Sequence, residues 1–396
     1  MKRMLTAIAA SLAILGASGA RADAVTDWNA KAGELVAEAR MGTPPAIRLM
    51  AIVQTAVHNA VTASHARAGA ASVDAAVAAA NRAVLARALP TQEAALTAAY
   101  QAAIAGIPEG PARAAGVEIG EKSAAAVLAA RADDGAATPE KYRPAAAPGS
   151  YVPTATPAVP QWAQRKPWLM ARADEFRPGP PPALASATWA RDFEEVKTIG
   201  SRASTRRTPE QTEIARFWEF SLPSIYFNVV RSVAAAPGRD VARNARLYAA
   251  AAQAMDDALI AVMDAKYHYN FWRPVTAIRN ADQDGNDATE RDAGWAPLID
   301  NPLHPEYPSA HNILAGAVGA LLKAELGNAP VPVLSTVSPT LKGVTRRWTN
   351  LDDFMQEVAN ARVYEGIHYR NSTEVGLSMG RRIGALAAAR HLGLQH

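Results

Sequence analysis

The sequence predicts an all-α protein built as one large helical domain. Three observations carry this. Apolar residues recur at helical spacing over long stretches, proline and glycine punctuate those stretches, and no segment alternates convincingly as a strand or repeats at a fixed period. With 396 residues, 49% of them hydrophobic, the chain can bury a large core.

The elements follow in order. Lys2 and Arg3, the apolar run Met4 to Ala17, and Ala20-Arg21-Ala22 read as a secretory signal cleaved after Ala22, with the mature protein periplasmic or secreted. That run is too short to span a bilayer. Residues 23–396 form the single expected domain. Ala46 to Ala63 is apolar nearly all round, as a buried helix is. Residues 71–137 are rich in alanine with Leu, Glu, Gln and Arg, which favours helix; Pro90-Thr91 restarts one, and Pro108, Gly110 and Pro111 mark a turn. About residues 138–182, proline takes over. Trp162, Trp168 and Tyr151 within that stretch argue for an ordered, packed loop. Helical pattern resumes from Ala185 to Ile199. Thr208-Pro209-Glu210-Gln211 reads as a helix start, and Arg243 to Ala265, Asn312 to Leu326, Leu351 to Tyr364 and Thr373 to Leu392 complete the set.

Charge and composition exclude several functions. Loss of Lys2, Arg3 and Arg21 with the signal lowers the formal charge from +4 to +1. The pI of about 9.3 therefore overstates any attraction to nucleic acid, and no basic tract suggests it. There is no cysteine, which rules out thiolate chemistry and Cys metal sites. No later segment is long and apolar enough for a membrane span. The alanine-rich helix faces would suit a homodimer.

Three short segments carry the chemistry: Lys266-Tyr-His-Tyr-Asn-Phe-Trp-Arg273-Pro274, His304-Pro-Glu-Tyr-Pro308-Ser309-Ala310-His311, and Ala361-Arg362 followed by His368. Lys266 and Arg273, seven apart, would share a helix face, but Pro274 disfavours helix at Arg273, so the helix ends between them. Ser309 and Ala310 stand at a helix start, where backbone N–H groups are free and oxyanions bind. His311 lies in the first turn, placed to exchange a proton. Gly366 stops the helix carrying Arg362, Asn371-Ser372 caps the next, and His368 sits on the connector between them. Three cations, two imidazoles and a helix start suit a tetrahedral oxyanion such as phosphate or vanadate. Taken singly, each segment reads as readily as surface cations, a plain N-cap or a loop histidine.

Jointly and in this order, the segments resemble the vanadium-dependent haloperoxidase and type 2 phosphatidic acid phosphatase superfamily. Its pattern is Lys-x6-Arg-Pro, then Pro-Ser-Gly-His, then Ser-Arg-x5-His-x3-Asp. Lys266 to Pro274 matches the first element, Pro308 to His311 the second with Ala310 for glycine, and Arg362 and His368 the third. Ala361 replaces the serine and Ser372 the aspartate. The matched core covers about residues 240–392. Ala310 keeps its N–H, so backbone ligation survives unless that position needs a positive φ. Loss of the aspartate passes the orientation of His368 to a serine, a backbone carbonyl or Glu374.

The resemblance implies an all-α bundle of the haloperoxidase and acid phosphatase type. It implies that Lys266, Arg273 and Arg362 neutralise the oxyanion, while Ser309 and the Ala310 N–H bond its oxygens. With vanadate as cofactor, His368 is the axial vanadium ligand, His311 the acid–base group, and Lys266 polarises the peroxide that oxidises halide. With a phosphomonoester, His368 becomes the nucleophile of a phosphohistidine and His311 protonates the leaving alcohol. His304 occupies the place of a histidine in the resembling bromoperoxidases, which points to bromide or iodide as the halide. The long exported body also looks like the bacterial haloperoxidase-type members. A soluble acid phosphatase, and a phosphate- or vanadate-binding protein without turnover, stand as alternatives. Asp282 to Asp287 lacks the glycine and glutamate of a calcium loop and reads as a solvated turn. Lys342, Arg346 and Arg347 read as a solvated basic face.

Overall fold

The chain folds as thirteen α-helices and one short hairpin among residues 23–393, which the computed structural model describes. The expected signal, residues 1–22, lies outside the described residues. The N-terminal half holds α1 (Ala24–Glu38), α2 (Thr43–His65), α3 (Val73–Ala88), α4 (Glu93–Ala105) and α5 (Pro111–Ala130). After the proline-rich segment come α6 (Ala187–Ile199), α7 (Pro209–Trp218) and α8 (Ser224–Ala234). The C-terminal half holds α9 (Val241–Tyr269), α10 (Pro274–Arg279), α11 (Ala310–Leu326), α12 (Leu351–Tyr364) and α13 (Arg370–Leu392). Among the described residues, no helix is long and apolar enough to cross a membrane.

The central helix is α9. Asp240 caps it by accepting the Arg243 N–H at 2.7 Å, and from Ala245 onward its Ala, Leu and Met side chains are buried on all sides. It ends where Asn270 turns left-handed at φ 49°, a conformation Asn tolerates better than most residues. The next three residues run extended to Arg273, and Pro274 opens α10 at its first position. The helix thus ends between Lys266 and Arg273, as the proline implied.

Glycine sets how closely α11 and α13 approach. A Cβ at Gly316 would meet the Leu377 carbonyl at 2.5 Å, and one at Gly380 would collide with the Ile313 carbonyl. The two helices therefore touch backbone to backbone, which fixes the start of α11 beside the start of α13.

The proline-rich segment is tied down by buried charge. Arg165 bridges Asp256 (2.6 Å) and Asp134 (2.9 Å). Asp257 accepts the backbone N–H groups of Trp168, Leu169 and Met170. The segment is thereby held against α9.

Three local expectations are corrected. A two-stranded antiparallel pair exists, β1 (Leu334–Val337) and β2 (Thr345–Trp348), too short for alternation to show in sequence. Arg346 is not part of a solvated basic face: it pairs with Glu357 at 2.7 Å and Glu213 at 3.1 Å. The last helix begins at Arg370 rather than being capped by Asn371-Ser372, because its first N–H groups are met from elsewhere. Asp192 of α6 takes the Asn371 N–H at 2.8 Å, and Glu306 takes that of Tyr369 at 3.1 Å.

Candidate active site

The site gathers at the ends of four helices. Lys266 occupies the last turn of α9, Arg273 precedes α10, Ser309 caps α11, and Arg362 lies in the last turn of α12. His368 sits on the short link, residues 365–369, to α13. The three cations are 0–2% exposed. Burying three cations together costs several kcal/mol per ion unless an anion or dense hydrogen bonding answers them.

Carbonyl groups answer part of that charge. Lys266 Nζ donates to the carbonyls of Pro305 (2.9 Å) and Glu306 (2.8 Å). Arg273 donates to the carbonyls of His304 and Ile367 at 3.0 and 2.8 Å. Arg362 Nη1 donates to the Trp218 carbonyl and to Glu365 Oε1, both at 2.7 Å. Burial, with Arg273 nearby, holds Lys266 well below its ordinary range, and burial lowers Arg273 to about 10. These are the marks of cations short of an anion.

The polar atoms left over are informative. Ser309 Oγ, His311 Nε2 and Arg362 Nε are buried with no hydrogen-bond partner among the described residues. Ser309 makes no side-chain cap to its own helix. The Ala310 N–H is among the first of α11, which have no acceptor inside the helix. Ala310 is not at a positive φ, so alanine fits where the family pattern has glycine. Orphaned donors at Ser309 Oγ, the Ala310 N–H and Arg362 Nε, beside three buried cations, fit a tetrahedral or five-coordinate oxyanion, vanadate included.

The imidazoles are oriented. His368 Nδ1 donates to Glu306 Oε1 at 2.7 Å, and Ser372 Oγ lies 3.4 Å from the same nitrogen. Its Nε2 is then a lone pair, which accepts from Arg273 Nη1 at 3.3 Å. Burial and the neighbouring Arg273 and Lys266 hold His368 well below the usual imidazole range. Burial first and Arg362 second keep the His311 imidazole neutral, against the upward pull of the Phe220 and Trp218 backbones, and its Nε2 is buried without a hydrogen-bond partner. His304, half-buried, accepts from Arg273 Nη2 at Nδ1 (3.0 Å) and is held neutral by burial and by Lys266 and Arg273.

Two carboxylates belong to this site and were not singled out in the sequence. Glu306 is 0% exposed, and burial raises it to about 7 against the pull of Lys266 and Arg273. It stands where the missing aspartate would act, so Glu374 is not the partner of His368. Glu365, raised to about 8 by burial, bonds Arg362 from three residues away. That spacing on a helix end was a usable signal. For Glu306, the signal was a lone acid inside an apolar, proline-flanked run.

A cavity of about 300 Å³ opens onto His304, Ala310, His311, Arg362 and His368. Asp284, of the stretch considered for calcium, instead holds Trp189 Nε1 at 2.9 Å and the Asn286 N–H at 2.8 Å.

Residues 246–395 match the family model of the VCPO second helical-bundle domain. The chain is 26% identical over 185 residues to a vanadium chloroperoxidase of Curvularia inaequalis, a match covering 38% of this chain and 30% of that relative's length. In fold it is similar to a bacterial vanadium-dependent iodoperoxidase, with a TM-score of 0.77 and 23% identity over 93% of this chain and 95% of that one. A holo-type bacterial vanadium-dependent chloroperoxidase gives a TM-score of 0.70 and 20% identity over 89% and 94%.

Proposed function

We propose that this chain, which belongs with the vanadium haloperoxidases by its second helical-bundle domain and its fold, is a vanadate-dependent haloperoxidase that oxidises iodide or bromide with hydrogen peroxide. One observation carries the reading. Three buried cations gather with the unpartnered, buried Ser309 Oγ and His311 Nε2 behind a cavity lined by Ala310, His311, Arg362 and His368.

Lys266, Arg273, Ser309, the Ala310 N–H, Arg362 and His368 would hold vanadate. Bound there, it supplies a Lewis acid that activates peroxide towards halide. The rest is the work of this chain's own residues. Glu306 holds the Nδ1 proton of His368, so Nε2 keeps its lone pair for ligation. The cations and the α11 start balance the oxyanion charge, at about 1.5–3 kcal/mol per charge-assisted hydrogen bond. His311, neutral and unpartnered at Nε2, would take the proton from incoming peroxide and return one to the departing oxygen. His304, aligned by Arg273, sits at the cavity where halide would approach. Its place, and the fold likeness to an iodoperoxidase, favour iodide and bromide, which are also easier to oxidise than chloride.

The test is halide oxidation by the apo-protein reconstituted with orthovanadate, run with iodide, bromide and chloride. The expected result is vanadate-dependent turnover in the order iodide, bromide, chloride, lost in His368→Ala. Turnover that ignores vanadate, or a chloride rate equal to that of iodide, would contradict the reading.

A further inference from the structure

We infer that the cavity between α1, α8 and β1 is a second small-molecule site, which takes a small monocarboxylate with a flat apolar body, about the size of benzoate. It shares no lining residue with the oxyanion cavity, and the inference does not depend on the haloperoxidase reading.

Small residues make the space. Ala30, Gly33 and Ala37 recur at i, i+3 and i+7 along α1, so they share one side of that helix and line the cavity. A Cβ at Gly33 would meet Ser224 Cβ at 3.3 Å, so α1 and α8 close at that level, and the cavity beside the contact is about 260 Å³. That is just under the roughly 300–1,000 Å³ of small-molecule pockets, which limits the occupant to a single ring or a short chain. Phe220 and Phe227 supply flat apolar wall.

Polar groups on the wall set the sign of the charge. Arg231 is its only cation, and Arg231 Nε is buried with no partner among the described residues. Its only acid, Glu34, is exposed and pairs with Lys31 at 3.0 Å. Asn29 backs the same wall, 2% exposed, and neither atom of its amide has a partner among the described residues. Buried polar groups are nearly always hydrogen-bonded, so these two side chains are short of a ligand. A carboxylate accepts from the guanidinium, and the Asn29 amide, turned toward the cavity, would add a second donor. One guanidinium balances one negative charge; a dianion would stay half-paired beside the phenyl rings. A second cavity, of about 470 Å³, shares Asn228, Arg231 and Val337 with the first, and its Val333 and Val337 are 58% and 51% exposed. It is the surface entrance through which the carboxylate meets Arg231.

The wall has the active site at its back. Phe220 lines this cavity while its neighbour Ser221 lines the oxyanion one. The Trp218 carbonyl accepts from Arg362 at 2.7 Å, and the Tyr226 hydroxyl donates to the His311 carbonyl at 3.3 Å. A ligand that braces residues 218–228 steadies the backbone that holds Arg362 and His311, so the two sites are coupled, and reciprocally.

The experiment titrates benzoate by calorimetry into the protein in excess orthovanadate, with benzyl alcohol as the uncharged probe, for the unmodified chain, Arg231→Met and Ala37→Leu. Arg231→Met removes the charge; Ala37→Leu fills the space from a half-buried position without touching a polar group. The expected result is one saturable benzoate site, at least tenfold tighter than for benzyl alcohol and weakened at least tenfold by either substitution, with the thermal midpoint kept in both variants. Saturating benzoate should also lower the orthovanadate Kd by about fivefold in the unmodified chain and leave it unchanged in Arg231→Met. Absence of saturable binding, equal affinity for benzyl alcohol, or benzoate binding that survives both substitutions would overturn the inference; the last would place benzoate among the oxyanion-site cations. An orthovanadate Kd indifferent to benzoate, or raised by it equally in Arg231→Met, would overturn the coupling.

Discussion

Ala310→Pro isolates one backbone hydrogen bond to the oxyanion. Ala310 is the first residue of α11, where proline is well tolerated and the lost N–H has no acceptor inside the helix. Ser309 already has φ −71° and ψ 124°, a conformation compatible with a following proline. Helix stability should therefore change little, by about 0.5 kcal/mol or less. The vanadate site loses one charge-assisted donor, about 1.5–3 kcal/mol. That converts to a roughly 10- to 150-fold rise in Kd. Calorimetric titration of orthovanadate into the apo-protein reads it directly. Ala310→Gly, which keeps the N–H, should stay within about threefold of the parent. Parental affinity in Ala310→Pro, with the fold intact, would refute ligation by this N–H.

Glu306→Ala should free the His368 ring. Imidazole 15N NMR would then lose the single Nδ1-protonated tautomer, and Ser372→Asp in the same chain should restore it; an unchanged tautomer would remove Glu306 from its positioning role. Asp256→Ala leaves the buried Arg165 with Asp134 alone and the Trp168 Nε1 donor without its acceptor, so unfolding in urea should show a loss of about 3–5 kcal/mol; a loss below about 1 kcal/mol would mean that water reaches the pair. The histidine contribution to the apo-protein's stability should fall as pH drops below 6.5, the ordinary imidazole value, against an opposite contribution from Glu306 and Glu365, whose folded values are raised to about 7 and about 8. His304, His311 and His368 have depressed folded values, so only the unfolded chain takes up their protons as acidification begins. Each contributes a slope of up to about 1.4 kcal/mol per pH unit, and His311→Asn should flatten the thermal-stability profile by one histidine's share.

Much of this was legible in the chain, for identifiable reasons. The helices announced themselves through period and punctuation, and Pro274 placed the break between Lys266 and Arg273 correctly. Eight site residues were named from three segments because their joint order resembles the superfamily's pattern, not because any one of them is telling alone. What escaped was non-local. Glu306 meets His368 across 62 positions, so a search confined to the neighbourhood of His368 offered Ser372 and Glu374 instead. The start of α13 was misplaced because Asp192, 179 positions away, satisfies its N–H groups. The strand pair of four residues each is below the length at which alternation can be read. Nor does any local pattern reveal that Pro45 and Val159 wall the same cavity as Leu314, since only the packing of distant helices brings them together.

The sign of the vanadate effect in two parallel assays on one apo-protein preparation tests the haloperoxidase reading most directly. One assay follows peroxide-driven bromination of a cyclic dione, the other hydrolysis of p-nitrophenyl phosphate. The reading predicts that orthovanadate switches bromination on and that His368→Ala abolishes it. Hydrolysis that orthovanadate inhibits, with no bromination at any vanadate concentration, would contradict it and make the chain an acid phosphatase working through His368; silence in both assays would leave an oxyanion-binding protein without turnover.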